Sequence, residues 1–526
     1  MKLLSIVLVI LTSCDQIANT YRILGIFPLH GPSHWVMMQP LMKGLAQRGH
    51  QVDVVSHFPQ KKPIPNYTDI SLVGSMPEIQ NNMSASEALS FGVFSMKHVA
   101  QIAGSKICEL LGHPALQNLI KNPPQDPPYD LVIIEVFMAP CYLAFGRLLK
   151  VPMVGIMTTA FHDWLNEVSG NPCNLAFIPN LFSAFKQDMN FKERFINFLM
   201  TNMISIQIHY YTSFQVEYVR KYFDIENTSI KELYNDVSLY LVNTHPALHG
   251  IRPYTPSIIG VGGLHIKGDG DPLSQEMQKW LDESKDGCIY FTFGSMVRIE
   301  SFSKELIETF YASFKKIAPV RVLMKIARKE DLLPGLPNNV MIQPWFPQVA
   351  VLKHKNIRAF ITHGGLMGTQ EAISYGVPMI GIPLFGDQRV NIQSYVRKKV
   401  AISLNSIYDV TEEKLTSALN TILKDPTYRE NVQKLSRLFL DRPMNALDTA
   451  IYWVEYVVKH GNFLQSPAMH LSWWQHHLLD VYAFLLFVVS AVLLAALFIL
   501  RKIKRLLFGT RACTKDSAAV KSKKDK

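Results

Sequence analysis

The sequence has 526 residues, too many for one ordinary core and enough for two of roughly 200 residues each. With 48% apolar and 18% charged residues it falls outside the disordered class. Of the net charge of +11, +8 falls in residues 501–526, where ten Lys/Arg meet two Asp. The rest of the chain carries only +3, which excludes nucleic acid as a partner.

Residues 1–11 are short and apolar behind Lys2, and small and polar residues follow. This predicts a signal peptide over 1–18, cleaved between Cys14 and Asn19. A first domain is expected over 19–265. It opens with a strand at 21–28, a loop at 29–33, a helix at 34–48 stopped by Gly49, and a strand at 51–56. The run 129–135 is continuously apolar and ends in an acid. A long helical stretch covers 184–222, and strands follow at 239–243 and 258–261. The glycine-rich stretch 260–271 reads as an exposed linker. Its Asp269-Gly270-Asp271 reads as a solvated turn, so no metal is expected.

A second domain, 266–460, repeats the grammar. It has a strand at 288–293, the turn Gly294-Ser295, a helix at 304–317, and short buried strands at 321–326, 340–343, 358–361 and 379–382. Uninterrupted apolar strands alternating with helices indicate parallel sheets covered on both faces. The fold class is α/β, with two Rossmann-like domains.

A juxtamembrane segment, 461–480, leads into 481–500, about 20 residues that would span a ~30 Å hydrocarbon core. Trp473, Trp474 and Tyr482 flank the entry, and Arg501, Lys502, Lys504 and Arg505 the exit. The C-terminus is therefore cytosolic and the protein type I, with one span. The basic tail 501–526 ends Lys523-Lys524-Asp525-Lys526, which matches a dilysine retrieval signal of the endoplasmic reticulum. The expected site is the endoplasmic reticulum membrane with both domains lumenal. Sequons at Asn66, Asn82 and Asn227 are then glycosylation candidates. Six cysteines make no disulfide scaffold and match no zinc spacing.

The densest chemistry lies between Trp345 and Gln388. Ile361 ends a strand, and His363-Gly364-Gly365 is the turn into a helix whose N-terminus would favour a pyrophosphate. Glu371, two turns along, would accept from ribose hydroxyls. Trp345 offers a flat face for a base and Gln348 an amide for its edge. Asp387 and Gln388 would bond sugar hydroxyls. In the first half, Pro28-Leu29-His30-Gly31-Pro32-Ser33-His34-Trp35 places histidines between strand and helix, where an imidazole is suited to take a proton.

The block 345–388 resembles the donor-binding signature of the UDP-glycosyltransferase family, which includes the animal UDP-glucuronosyltransferases. The resemblance extends over Phe293-Gly294-Ser295, the signal peptide, the late span and the dilysine tail. It implies a GT-B type fold with Ser295, Lys325, His363, Gly364, Gly365 and Gly368 beside Trp345, Gln348, Glu371, Asp387 and Gln388 as donor contacts. Lys325 stands where many members have arginine, and Met367 where many have asparagine. The implied base is His34, with His30 as its local rival. The family's orienting aspartate is replaced by Glu135, which either fills that role or marks an altered dyad. The resemblance implies an inverting transfer of a glucosyl or glucuronosyl group from a UDP-sugar co-substrate to small lipophilic acceptors, without cofactor or metal. The segment 161–222, rich in Phe, Ile and Met, would line the acceptor pocket or pack the core. The alternative is a non-catalytic nucleotide-sugar or lipophile-binding membrane protein. Self-association is left open.

Overall fold

The computed structural model describes residues 20–91, 96–266, 268 and 270–508. The expected signal peptide and the dilysine motif lie outside them. Two compact units divide the chain, one ending at Met469 and the other beginning at His470.

Among the described residues the first unit holds two wholly parallel sheets. The first has strands β1 (Arg22–Phe27), β2 (Gln51–Ser56), β3 (Tyr67–Ser71), β4 (Leu131–Glu135), β5 (Met153–Met157), β6 (Val237–Val242) and β7 (Ile258–Gly260), in the order β3-β2-β1-β4-β5-β6-β7. The second has β8 (Cys288–Thr292), β9 (Arg321–Lys325), β10 (Val340–Gln343), β11 (Ile357–Thr362), β12 (Met379–Gly381) and β13 (Ala401–Ser403), in the order β10-β9-β8-β11-β12-β13. The central strands are buried along their length, as sheets covered on both faces require. In each sheet the order reverses beside its first strand, at β1/β4 and at β8/β11. Crevices open at such points, at the carboxyl ends of the strands.

Helix α1 (Pro32–Gln47) starts two residues before its expected position. Gly31 is the N-cap and Pro32 fills the first turn, where its missing N–H costs nothing. The helical stretch expected at 184–222 is broken. Residues 184–190 are not helical, and α2 (Phe191–Ser213) and α3 (Val216–Phe223) part at Phe214–Gln215. Gln215 is buried there, with its amide donating to the Met138 carbonyl (2.8 Å). Cys108 and Cys141 form a disulfide that closes against the same residue. Strands β3, β5 and β13 were not expected.

Packing crosses the expected division of the chain in two places. Ala85 and Ala88, in the short helix Ala85–Ser90, belong to the core of the second sheet. Conversely α4 (Ala446–His460) buries Ala450, Ile451, Val454 and Val457 against α1 and the first sheet. A Cβ on Gly44 would stand 2.7 Å from Ile451 Cδ1, so the helices meet where a glycine admits them. Just after α4, Gln465 donates to the carbonyls of Asn235 and Val237 (both 3.0 Å).

In the second unit, α5 (Leu479–Phe508) is a single helix of 30 residues, about 45 Å long. Among the described residues it is the one helix long and apolar enough to cross a membrane. It overruns the expected 481–500 at both ends. Asp480 in its first turn and Arg505 in its last suit the helix dipole.

The α1–α4 contact sets a stability prediction. Ile451→Ala deletes buried methyl groups at this contact and should cost about 2–4 kcal/mol. The thermal midpoint of the detergent-solubilised full chain should fall accordingly, and Leu440→Ala, at an exposed position, should leave it unchanged.

Candidate active site

The carboxyl end of β1 and the start of α1 bring His34 to one side of a cleft. Glu135, the last residue of the adjacent β4, is buried, and its Oε1 lies 2.5 Å from His34 Nδ1. Thr158 Oγ1, just past β5, is 3.1 Å from the same nitrogen, and Phe137 packs edge-on at 5.3 Å. The carboxylate can only accept, so the network assigns the imidazole proton to Nδ1 and leaves the Nε2 lone pair free. His30 has no such carboxylate. It packs on His57, and burial holds its pKa below the ordinary histidine value.

Across the cleft the second sheet presents two matching turns. Thr292 and Thr362 are partners in the β8/β11 register. Each hydroxyl accepts from the amide two residues on, Gly294 N (3.1 Å) and Gly364 N (3.2 Å). Both glycines hold positive φ, +81° and +91°, which few other residues adopt. The His363 ring fits between Gly294 and Gly365: a Cβ on Gly294 would sit 2.7 Å from His363 Cε1, and one on Gly365 2.8 Å from His363 Nε2. Burial, and secondarily Lys325, push the His363 pKa down to about 4, so the ring is neutral near pH 7. Lys325, ending β9, is buried and donates to the Gly294 carbonyl (2.6 Å), with its ammonium 5.4 Å from the Trp345 ring centre. Burial lowers its pKa to about 8.

Trp345 remains 47% exposed, which leaves a flat aromatic face open. Gln348 donates to Glu371 Oε2 (2.6 Å), and His265 Nε2 approaches Glu371 Oε1 at 3.4 Å. Gln348 is therefore engaged with the acid that sequence reading treated as a separate contact. Gly368 leaves room for this, since a Cβ there would meet Gln348 Nε2 at 3.0 Å. At the other end, Asp387 Oδ2 accepts from Asn391 (2.9 Å), and burial raises the Asp387 carboxyl pKa. Gln388 Oε1 accepts from the amides of Leu384 (2.9 Å) and Phe385 (3.0 Å), which leaves its NH2 to reach a ligand.

These groups converge on one cavity of about 300 Å³, lined by His34, Ser295, Lys325, Trp345, Gln348, His363, Gly365, Gly368, Glu371, Asp387 and Gln388. Glu135 and Gly364 stand behind the lining. No residue of 161–222 lines it. Helix α2 instead exposes Phe195, Phe198, Met203 and Ile206, and Thr158 and Thr159 form the wall beside His34. No three His, Cys, Asp or Glu side chains gather as a metal site among the described residues.

A model of the UDPGT family, UDP-glucuronosyl and UDP-glucosyl transferase, matches residues 24–518. The chain belongs to this family. It is similar to UDP-glucosyltransferase 2 of Dactylopius coccus, at 38% identity over 89% of this chain and 90% of that protein. It is also similar to human UDP-glucuronosyltransferase 2A3, at 31% identity over 88% and 89%. Among solved structures, the glycosyltransferase VinC in complex with DTDP shares the fold, with a TM-score of 0.55 at 18% identity over 84% of this chain and 100% of that one. The fold is GT-B and the chain is a UDP-dependent hexosyltransferase.

Several residues of this glycosyltransferase were not found by sequence reading. His265 braces Glu371, and Asn391 ties Asp387 to the Gly364 carbonyl (3.1 Å). Asn243 donates to the Thr158 carbonyl (2.9 Å) and accepts from Gln370 (2.8 Å), joining the two halves in a buried link. Met367 Sδ accepts from the same Asn243 (3.3 Å), so the methionine in place of asparagine is built into this link.

Lys325 gives a pH prediction. Its charge is lost as pH rises through about 8, and an anionic donor binds the charged form better. The KM for UDP-sugar should rise several-fold between pH 7.5 and 9.5. Lys325→Arg, charged throughout that range, should flatten the rise.

Proposed function

We propose that this UDP-hexosyltransferase performs a single inverting displacement in which His34 is the general base. The observation that carries the reading is the 2.5 Å contact from His34 Nδ1 to Glu135, with the ring lining the cavity that also holds His363, Asp387 and Gln388. The acceptor oxygen attacks the anomeric carbon of an α-linked UDP-hexose. His34 Nε2 takes the hydroxyl proton, Glu135 stabilises the imidazolium, and UDP leaves with the bonding electron pair. Trp345 takes the uracil face and Glu371 the ribose. Ser295, Lys325 and the His363–Gly365 turn hold the diphosphate, and Asp387 and Gln388 the sugar hydroxyls. No metal is needed in this scheme, because Lys325 and the turn amides supply the positive potential.

The sugar end of the cavity favours a neutral hexose. Among the described residues Lys325 is the one Lys or Arg in the lining, and it lies at the nucleotide end, against Trp345 and Gly294. The sugar end carries the Asp387 carboxyl, near enough to His34 for their charges to interact. Arg389 is exposed and outside the lining. A uronate would face an acid there without a fixed cation. The relationship to UDP-glucosyltransferase 2 supports the same reading.

Acceptors are small, lipophilic alcohols or phenols, in keeping with a membrane-anchored chain and the apolar residues beside His34 (Val36, Phe137). The α5 helix supports a type I anchor with both sheets in the endoplasmic reticulum lumen. The three sequon residues, Asn66, Asn82 and Asn227, are exposed, as glycosylation requires.

Microsomes expressing the chain, given a phenol panel, should release UDP faster from UDP-glucose than from UDP-glucuronate. Equal or reversed preference would rule out the neutral-hexose reading. His34→Ala should lower kcat by about 10²–10⁴-fold with UDP affinity retained. Glu135→Ala should fall nearly as far, and Glu135→Gln, uncharged but similar in shape, should not restore the rate. Undiminished turnover by His34→Ala would reject the base assignment.

A further inference from the structure

We infer that Asn81, from the half of the molecule that carries His34, is a positioning residue for the nucleotide diphosphate. It sets the width of the slot between the Trp345 loop and the Ser295 loop. The inference rests on the reading of that cavity as the donor site.

Residues 79–90 leave the first half and lie along the second. The Asn81 amide donates to the Ser295 carbonyl (2.9 Å), while its side-chain Nδ2 donates to the carbonyl of Pro344 (3.3 Å), the residue before Trp345. One residue thus holds both loops that would embrace a nucleotide, one carrying the aromatic face and the other the serine beside the phosphates. Asn81 does so at φ +53°, a left-handed conformation that asparagine tolerates better than most residues.

The surrounding strap makes the bridge rigid. Met83 pairs with Val297 as a parallel bridge, its amide donating to Met296 (3.1 Å) and its carbonyl accepting from Arg298 (2.9 Å). The Ala85 amide donates to Ser301 Oγ (2.8 Å), and Ala85 and Ala88 are buried in the second core. At the far end, Phe91 packs on Phe385 at 5.7 Å, next to the loop that presents Asp387. The strap therefore touches the Ser295, Trp345 and Asp387 loops, and Asn81 is the residue that bonds two of them. Ser295 and Pro344 are tied through a residue more than 200 positions away in sequence, and local turn chemistry provides no substitute for that tie.

The test is UDP binding and steady-state kinetics on the full chain in detergent, wild type against Asn81→Gly. Glycine keeps the backbone N–H and the positive φ and removes only the Pro344 bond. The sequon Asn82-Met83-Ser84 stays intact. The Kd for UDP and the KM for UDP-sugar should rise about three- to tenfold, as expected for one lost hydrogen bond. The kcat, the KM for the acceptor and the thermal midpoint without nucleotide should not change. If Asn81→Gly does not accumulate, Asn81→Asp, which also loses the donor, should give the same split. UDP affinity within twofold of wild type would overturn the inference. So would a fall in thermal midpoint with kcat and both KM values shifting together, since that pattern marks a merely structural residue. Absence of UDP binding by the wild-type chain would remove the donor-site reading itself, and the inference with it.

Discussion

Every strand in both sheets runs parallel, and the site depends on this constraint. Parallel strands put all their carboxyl ends on one edge, and reversal of strand order leaves a gap there that no crossing helix fills. Four strand ends flank the two gaps: β1 and β4 in one sheet, β8 and β11 in the other. His34 follows the first and Glu135 ends the second. Gly294 follows the third and His363 the fourth. The register is what makes this useful. Thr292 and Thr362 are direct partners, so their two glycine turns stand side by side with the His363 ring between Gly294 and Gly365. A slip of one residue in either strand would point one of the threonines to the opposite face and separate the turns.

Two domains joined only by a linker would be free to separate. Here each half lends the other a segment. The strap at 79–90 enters the second core, and α4 returns to the first. The Asn243–Gln370 bond also joins the halves and is fully buried. Buried amides without partners cost about 1–3 kcal/mol each, so the halves are held together by polar pairing as well as by apolar area. His34 and the turns at Ser295 and His363 face one cavity.

The parts legible in the sequence are those governed by local chemistry. The turn His363-Gly364-Gly365, the acid two turns along its helix and the pair Asp387-Gln388 all lie at strand ends, where glycines and polar residues interrupt apolar runs. The resemblance to the glycosyltransferase family added their roles. What escaped notice depends on distant contacts. His265 and Glu371 are 106 residues apart and Asn81 and Ser295 are 214 apart, and no periodic pattern marks such pairs. Strand β3 lies at the sheet edge with no buried residue, and β13 is only three residues long, so neither leaves an apolar run to read. The stretch at 184–222 misled for a different reason. It reads as one helical stretch within a segment, 161–222, that would line a pocket or pack the core, but the buried Gln215 breaks the helix and α2 turns much of its apolar surface outward.

On the proposed mechanism, the glutamate at position 135 fits the geometry of this site. His34 sits in the first turn of α1, where the helix dipole is positive and opposes an imidazolium. On the proposed mechanism that charge must form beside the dipole, so an anion close to Nδ1 is required to offset it. Glu135 is anchored at the last position of β4, paired in register with Ile156, and cannot move toward α1 by shifting the strand. The imidazole cannot move toward β4 either, because Phe137 and Thr158 fix it from two sides. The remaining span is closed by side-chain length. An aspartate on the same backbone would stop about one carbon–carbon bond short, far enough to turn a 2.5 Å charge-assisted hydrogen bond into a weak contact. The substitution that looked like a departure in sequence is therefore matched by the distance it has to cover, and a carboxylate held this close is what an imidazole acting as a base beside a positive helix end requires.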